Sequence, residues 1–136
     1  MAVRVVDASA LGALVFGEPK AEEIAKALGD SPMAAPALIW FELASICLRK
    51  IKAHPAQRDQ ILSAFLMGGR LAIEIVEVDH GAVVNLAEET GLTTYDASYL
   101  WLAGYLKGEL ITLDAKMQRA AKSLSAHVFA VFPFPP

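Results

Sequence analysis

Four carboxylates stand inside apolar stretches of this 136-residue chain. Asp7 follows Val5-Val6 and leads into Ala8-Ser9-Ala10-Leu11, and Glu42 lies in Leu38-Ile39-Trp40-Phe41-Glu42-Leu43-Ala44. Asp96 lies in Thr93-Thr94-Tyr95-Asp96-Ala97-Ser98-Tyr99-Leu100, and Asp114 closes Leu110-Ile111-Thr112-Leu113-Asp114. Withdrawing an ionised carboxylate from water costs several kcal/mol unless a cation compensates it. No matching set of lysines or arginines is embedded beside these four acids. A hard divalent ion gripped by converging oxygens supplies that compensation, and Mg2+ or Mn2+ is the type of ion that carboxylates select. Four acids drawn from distant parts of the chain therefore point to one metal site. Such a site suits phosphodiester hydrolysis, where one ion holds the phosphate and activates a water.

Each acid also has a plain structural reading. Asp7 and Asp114 precede helical segments and can cap them, and Asp96 can close a capping box with Thr93. Glu42 is harder to explain this way: its helical neighbours Leu38, Ile39 and Ile46 are apolar, Ser45 alone softens the face, and Arg49 is two turns off. The other acids sit in polar loops or on helix faces, and Glu74 and Glu77 alternate with aliphatic residues as on an exposed strand face.

The elements that must position these residues follow from hydrophobic periodicity and from glycine and proline punctuation. Strands are expected at Val3–Val6, Met33–Pro36, Leu71–Val78, Leu110–Leu113 and His127–Val131. Helices are expected at Ala8–Phe16, Glu22–Leu28, Ala37–Lys52, Ala56–Met67, Gly81–Glu89, Thr94–Leu106 and Ala115–Leu124. The helix over 37–52 is apolar around most of its circumference and is expected to be central. Alternating strands and helices imply an α/β fold, a mostly parallel central sheet flanked by helices on both faces. Its ligand site lies off the carboxyl ends of the strands, where Asp7 and Asp114 fall. The whole of 1–136 reads as one domain, with 132–136 (Phe132-Pro133-Phe134-Pro135-Pro136) as a tail unable to continue a sheet.

Bulk properties narrow the class. A hydrophobic share of 55 % exceeds what a small monomer readily hides, which implies a buried interface with a second copy or another partner. Trp40, Phe41, Trp101, Tyr105 and the Phe132/Phe134 tail are candidate interface aromatics, with core packing as their ordinary role. Cys47 stands alone mid-helix as a small core residue, consistent with a reducing cytoplasm. Neither an export signal nor a membrane span is expected. Net charge is −3, so phosphate recognition would rest on local basic clusters, Arg49/Lys50/Lys52/Arg58 and Lys116/Arg119/Lys122.

Taken together, Asp7-x-Ser9 after an apolar strand, Pro36-Ala37-Leu38 with Glu42 in the next helix, Thr94-Tyr95-Asp96-Ala97, and Leu110-Ile111-Thr112-Leu113-Asp114 resemble the PIN-domain nucleases over nearly the whole chain. The chain looks most like the small VapC-type toxins of prokaryotic toxin–antitoxin pairs. The resemblance implies a PIN-like three-layer fold and an acidic pocket of Asp7, Glu42, Asp96 and Asp114. Ser9 and Thr112 would be supporting hydroxyls there. It further implies a Mg2+- or Mn2+-dependent endoribonuclease in which Asp7, Asp96 and Asp114 contact the metal, an RNA substrate, a cognate antitoxin and a homodimer. Some relatives carry another acid just after the last aspartate; here that stretch reads Ala115-Lys116-Met117, which weighs against a tightly held second ion and offers Lys116 to a phosphate.

Competing chemistries lack their residues. His54, His80 and His127 lie in unrelated settings, Ser9 stands where a haloacid-dehalogenase phosphatase needs a second aspartate, and nucleotide-binding glycine patterns are absent. A catalytically silent α/β interaction module and an RNA-processing PIN nuclease outside any toxin–antitoxin pair remain the alternatives.

Overall fold

The computed structural model describes residues 2–124 and the strand at 130–131. In chain order the elements are β1 (Arg4–Val6), α1 (Ala8–Val15), α2 (Ala21–Leu28), β2 (Met33–Ala35), α3 (Leu38–Ala53), α4 (Arg58–Gly68), β3 (Ile73–Ile75), α5 (His80–Thr90), α6 (Thr94–Tyr105), β4 (Glu109–Ile111), α7 (Ala115–Ser123) and β5 (Ala130–Val131). All four pairings in the five-stranded sheet are parallel, in the spatial order β3-β2-β1-β4-β5. Helices flank this sheet, giving the expected α/β architecture.

The strand order sets where a site can form. From β1 the chain winds outward through β2 to β3, then returns to place β4 on the other side of β1. The crevice beyond the carboxyl ends of β1 and β4 is thus the switch point of the sheet. Their register pairs Arg4 with Glu109, Val5 with Leu110 and Val6 with Ile111. One step further on, Asp7 and Thr112 must stand side by side.

The two strands hold that register because both their faces are covered. Val5, Val6, Leu110 and Ile111 are fully buried, so β1 and β4 read as continuous apolar runs rather than alternating ones. Each such side chain contributes about 2 kcal/mol by leaving water. α6 packs on both strands and against α5, while α1 contacts α2, α3 and α4. Gly68 permits the last contact: a Cβ there would lie 2.7 Å from a methyl group of Val15.

Some elements differ from the sequence reading. The strand expected over 71–78 shrinks to Ile73–Ile75, because β3 is an edge strand with only the three-residue β2 to pair against. A single 3-10 turn at Pro55–Gln57 precedes α4. Residues 127–129 of the last expected strand and the tail 132–136 lie outside the described residues. α3 is peripheral rather than central. Its buried residues Ile39, Leu43 and Cys47 form a single stripe at four-residue spacing, leaving Phe41 77 % and Leu48 52 % exposed.

Candidate functional site

Asp7 begins the site. It follows β1 directly, caps α1 by accepting the Ala10 N–H at 3.0 Å, and is buried. Both carboxylate oxygens are engaged. Ser9 Oγ donates to Oδ1 at 2.7 Å and Thr112 Oγ1 donates to Oδ2. With each hydroxyl proton committed to Asp7, the two hydroxyl oxygens are free to accept. Ser9 Oγ takes the Leu113 N–H and Thr112 Oγ1 takes the Asp114 N–H, both at 3.0 Å. Gln118 Nε2 secures the same turn by donating to the Thr112 carbonyl at 2.9 Å. The Asp7 carboxylate is therefore laced through two hydroxyls to the loop that presents Asp114.

Asp114 caps α7 in its turn, its Oδ1 accepting the Lys116 and Met117 N–H groups at 2.8 and 3.1 Å. Asp96 lies in the first turn of α6, where the Thr93 hydroxyl accepts its N–H at 3.1 Å. Glu42 comes from α3 and accepts the Tyr99 hydroxyl at 2.6 Å. The capping roles are real for Asp7 and Asp114. Glu42 itself is half-buried, and its partner is Tyr99 rather than Arg49.

Electrostatics join the four into one group. Burial pushes the Asp7 carboxyl up to about 6, opposed by its bonds from Thr112, Ala10 and Ser9 and reinforced by the Asp114 charge. Glu42 is raised by burial and by Asp96, against the Tyr99 hydrogen bond. Asp96 is raised by burial and by Asp114, against the Thr93 bond and the Lys116 charge. Asp7 to Asp114, Asp114 to Asp96, and Asp96 to Glu42 form an unbroken chain of like-charge repulsion. Tyr99, buried beneath it, is pushed well above its ordinary range by burial and then by Glu42. No lysine, arginine or histidine among the described residues forms an ion pair with any of the four.

The donors are all hard oxygens, the set that Mg2+ or Mn2+ prefers. A group of mutually repelling, partly desolvated carboxylates without a paired cation fits a divalent ion. Among the described residues, however, no three acid, imidazole or thiol groups are arranged to hold an ion as they stand. A separate cleft of about 340 Å3, lined by Phe16, Lys50, His54, Gln57 and Ile61 among others, includes none of the four acids. The carboxylate chemistry, not this cleft, marks the candidate site.

Tyr99 was not singled out by sequence reasoning, although a tyrosine inside an apolar helix requires a partner for its hydroxyl. Its position three residues after Asp96 was the available signal.

The PIN domain family model matches residues 4–123, a span that takes in all four acids. The chain belongs to the PIN domain family, a family of nucleases. Among solved structures, PAE2754 from Pyrobaculum aerophilum aligns with a TM-score of 0.66 at 22 % identity, covering 96 % of this chain and 89 % of the other. VapBC2 from Rickettsia felis, solved bound to a DNA fragment from its promoter, aligns with a TM-score of 0.61 at 14 % identity over 96 % and 97 % of the two chains. At these identities the likeness concerns the fold. No curated protein matches significantly.

Proposed function

We propose that this protein is a divalent-metal-dependent endoribonuclease acting in the cytoplasm as the toxin of a toxin–antitoxin pair. The observation that supports the catalytic reading most is the placing of Asp7 and Asp114 directly after the two switch-point strands, with Asp96 and Glu42 coupled to them by like-charge repulsion. Asp7 itself is buried, doubly anchored and unpaired with any cation among the described residues.

In this reading Asp7, Asp96 and Asp114 would hold a Mg2+ or Mn2+ ion. When bound, the ion supplies Lewis acidity and charge neutralisation at the scissile phosphate. Asp7 is fixed by Ser9 and Thr112, so its oxygens need no rearrangement when substrate arrives. The Tyr99 hydroxyl orients Glu42, which takes the proton of the attacking water as general base. The leaving sugar oxygen then departs from phosphorus with a proton drawn from solvent.

The partner reading draws support from exposed apolar side chains and from the likeness to the VapBC2 complex. Phe41, Leu48, Leu66 and Met67 are all more than half exposed, apolar side chains of the kind a homodimer contact or an antitoxin segment would cover. No helix among the described residues is long and apolar enough to cross a membrane. The test is cleavage of structured RNA by the purified chain in Mg2+ or Mn2+. Wild-type protein is expected to cut, EDTA to stop it, and Asp7→Asn and Asp96→Asn to abolish it with the fold intact. Cleavage that survives EDTA and both substitutions would remove the mechanism.

A further inference from the structure

We infer that the cleft between the α3–α4 hairpin and the end of α1 is a second binding site, one that takes a free mononucleotide with its phosphate on a cationic wall and its base on an apolar floor. The site is separate from the four acids. Lys50, on its wall, follows Glu42 by eight residues of α3, about 12 Å along the helix axis.

The cleft exists because Pro55 cannot continue α3. The chain breaks at His54, makes the 3-10 turn at Pro55–Gln57 and returns as α4, leaving a wedge that Phe16, just after α1, lines from a third side. Its volume of about 340 Å3 lies in the range of small-molecule sites. An adjoining hollow of about 290 Å3 shares Lys50 and His54 with it and adds Arg49 and Glu18.

Charge selects an anion. Lys50 Nζ is held 2.7 Å from Glu18 Oε1 and 5.5 Å from the centroid of the Phe16 ring, so the ammonium is fixed in place before any ligand arrives. Glu18 occupies one of its three N–H donors and leaves others for a ligand. Arg49 and His54 form no ion pair among the described residues. Two fixed cations against one carboxylate give the lining a positive balance, in a chain whose net charge is −3. A guanidinium and an ammonium together suit the oxygens of a phosphate ester.

The rest of the lining calls for more than phosphate. Phe16, Ile61 and Ala64 supply apolar surface for a flat ring. Gln57 and Gln60 bring two carboxamides, each able to give and take a hydrogen bond at once. A glutamine carboxamide pairs in that way with the edge of adenine. Phosphate, ring and base edge in one small compound are the parts of a mononucleotide, and AMP is the probe.

Calorimetric titration of AMP into the full chain tests this, in EDTA so that the four acids repel a phosphate. Wild type is expected to bind saturably at one site. Adenosine and inorganic phosphate, each lacking part of the contacts, are expected to bind roughly tenfold more weakly or worse. Arg49→Met should weaken AMP binding roughly tenfold and Gln60→Leu roughly fivefold. Both side chains are exposed, and unaltered melting temperatures exclude misfolding as the cause. Asp7→Asn should bind AMP as wild type does, which separates the cleft from the acids. A short 2′-O-methyl oligoribonucleotide should not displace AMP. The inference is overturned if wild type shows no saturable binding, if phosphate alone binds as tightly as AMP, if the oligomer displaces it, or if both cleft variants keep full affinity. RNA cleavage is a separate readout, so the nuclease reading stands or falls independently.

Discussion

Tyr99 Oη lies 2.6 Å from Glu42 Oε1, joining α6 to α3 across 57 positions of sequence. This contact holds the acid contributed by a peripheral helix against the acids at the strand ends. The hydroxyl also draws the Glu42 pKa downward against the effect of burial. Tyr99→Phe removes that influence while the buried ring still fills its space. It is expected to cost about 1 kcal/mol of stability. The acid limb of the pH–rate profile should move to higher pH, because a base with a raised pKa loses its proton later. A lowered rate with an unmoved profile would make Tyr99 a packing residue only.

Thr112 is expected to be the more costly position. Its hydroxyl donates to Asp7 and accepts from the Asp114 N–H, so Thr112→Val strips a charged carboxylate of one donor and leaves a backbone donor without its acceptor. A loss of about 2–3 kcal/mol should appear in denaturant unfolding. Thr112→Ser, which keeps the hydroxyl, should recover most of it.

The buried acid also sets how stability depends on pH in chelator-treated protein. Asp7 titrates near 3.8 when exposed and at about 6 when folded, so the folded state holds its proton more tightly. The associated stability is fully present below the unfolded value and is lost as pH rises through about 6. By neutral pH the penalty is roughly 3 kcal/mol. Glu42 and Asp96 are shifted in the same direction. The difference in unfolding free energy between Asp7→Asn and wild type should therefore grow in favour of the variant between about pH 4 and pH 7. A flat difference would show that Asp7 is not desolvated.

Mg2+ or Mn2+ should reverse that penalty. At saturating concentration a folded-state ligand adds about 3 kcal/mol, raising the melting temperature by several degrees for a chain of this size. The gain should be larger near pH 8 than near pH 5, where protons compete for the same oxygens. Scanning calorimetry with and without EDTA reads this directly.

The strand-end acids were legible because a parallel, doubly covered strand leaves a plain signature: Val5-Val6 and Leu110-Ile111 open apolar runs that end at Asp7 and Asp114, whereas Ser9 and Thr112 as supporting hydroxyls came only from the resemblance to PIN-domain nucleases. That Asp7 and Thr112 touch follows from the β1–β4 register, which no local pattern encodes. Helix periodicity misled at α3, where Phe41 and Leu48 fit a core helix by composition but are 77 % and 52 % exposed. An apolar face awaiting a partner and one facing the core look identical in sequence. Tyr99 escaped notice for a related reason: within an apolar helix its ring reads as core, which it is, and only the fold reveals where the hydroxyl goes.

Calorimetric titration of Mn2+ into chelator-stripped protein tests the central claim most directly, comparing wild type with Asp96→Asn and Asp114→Asn. Wild type is expected to give a saturable heat with protons released on binding, and both variants to lose or markedly weaken it. Equal binding by all three proteins, or none by wild type, would contradict the claim.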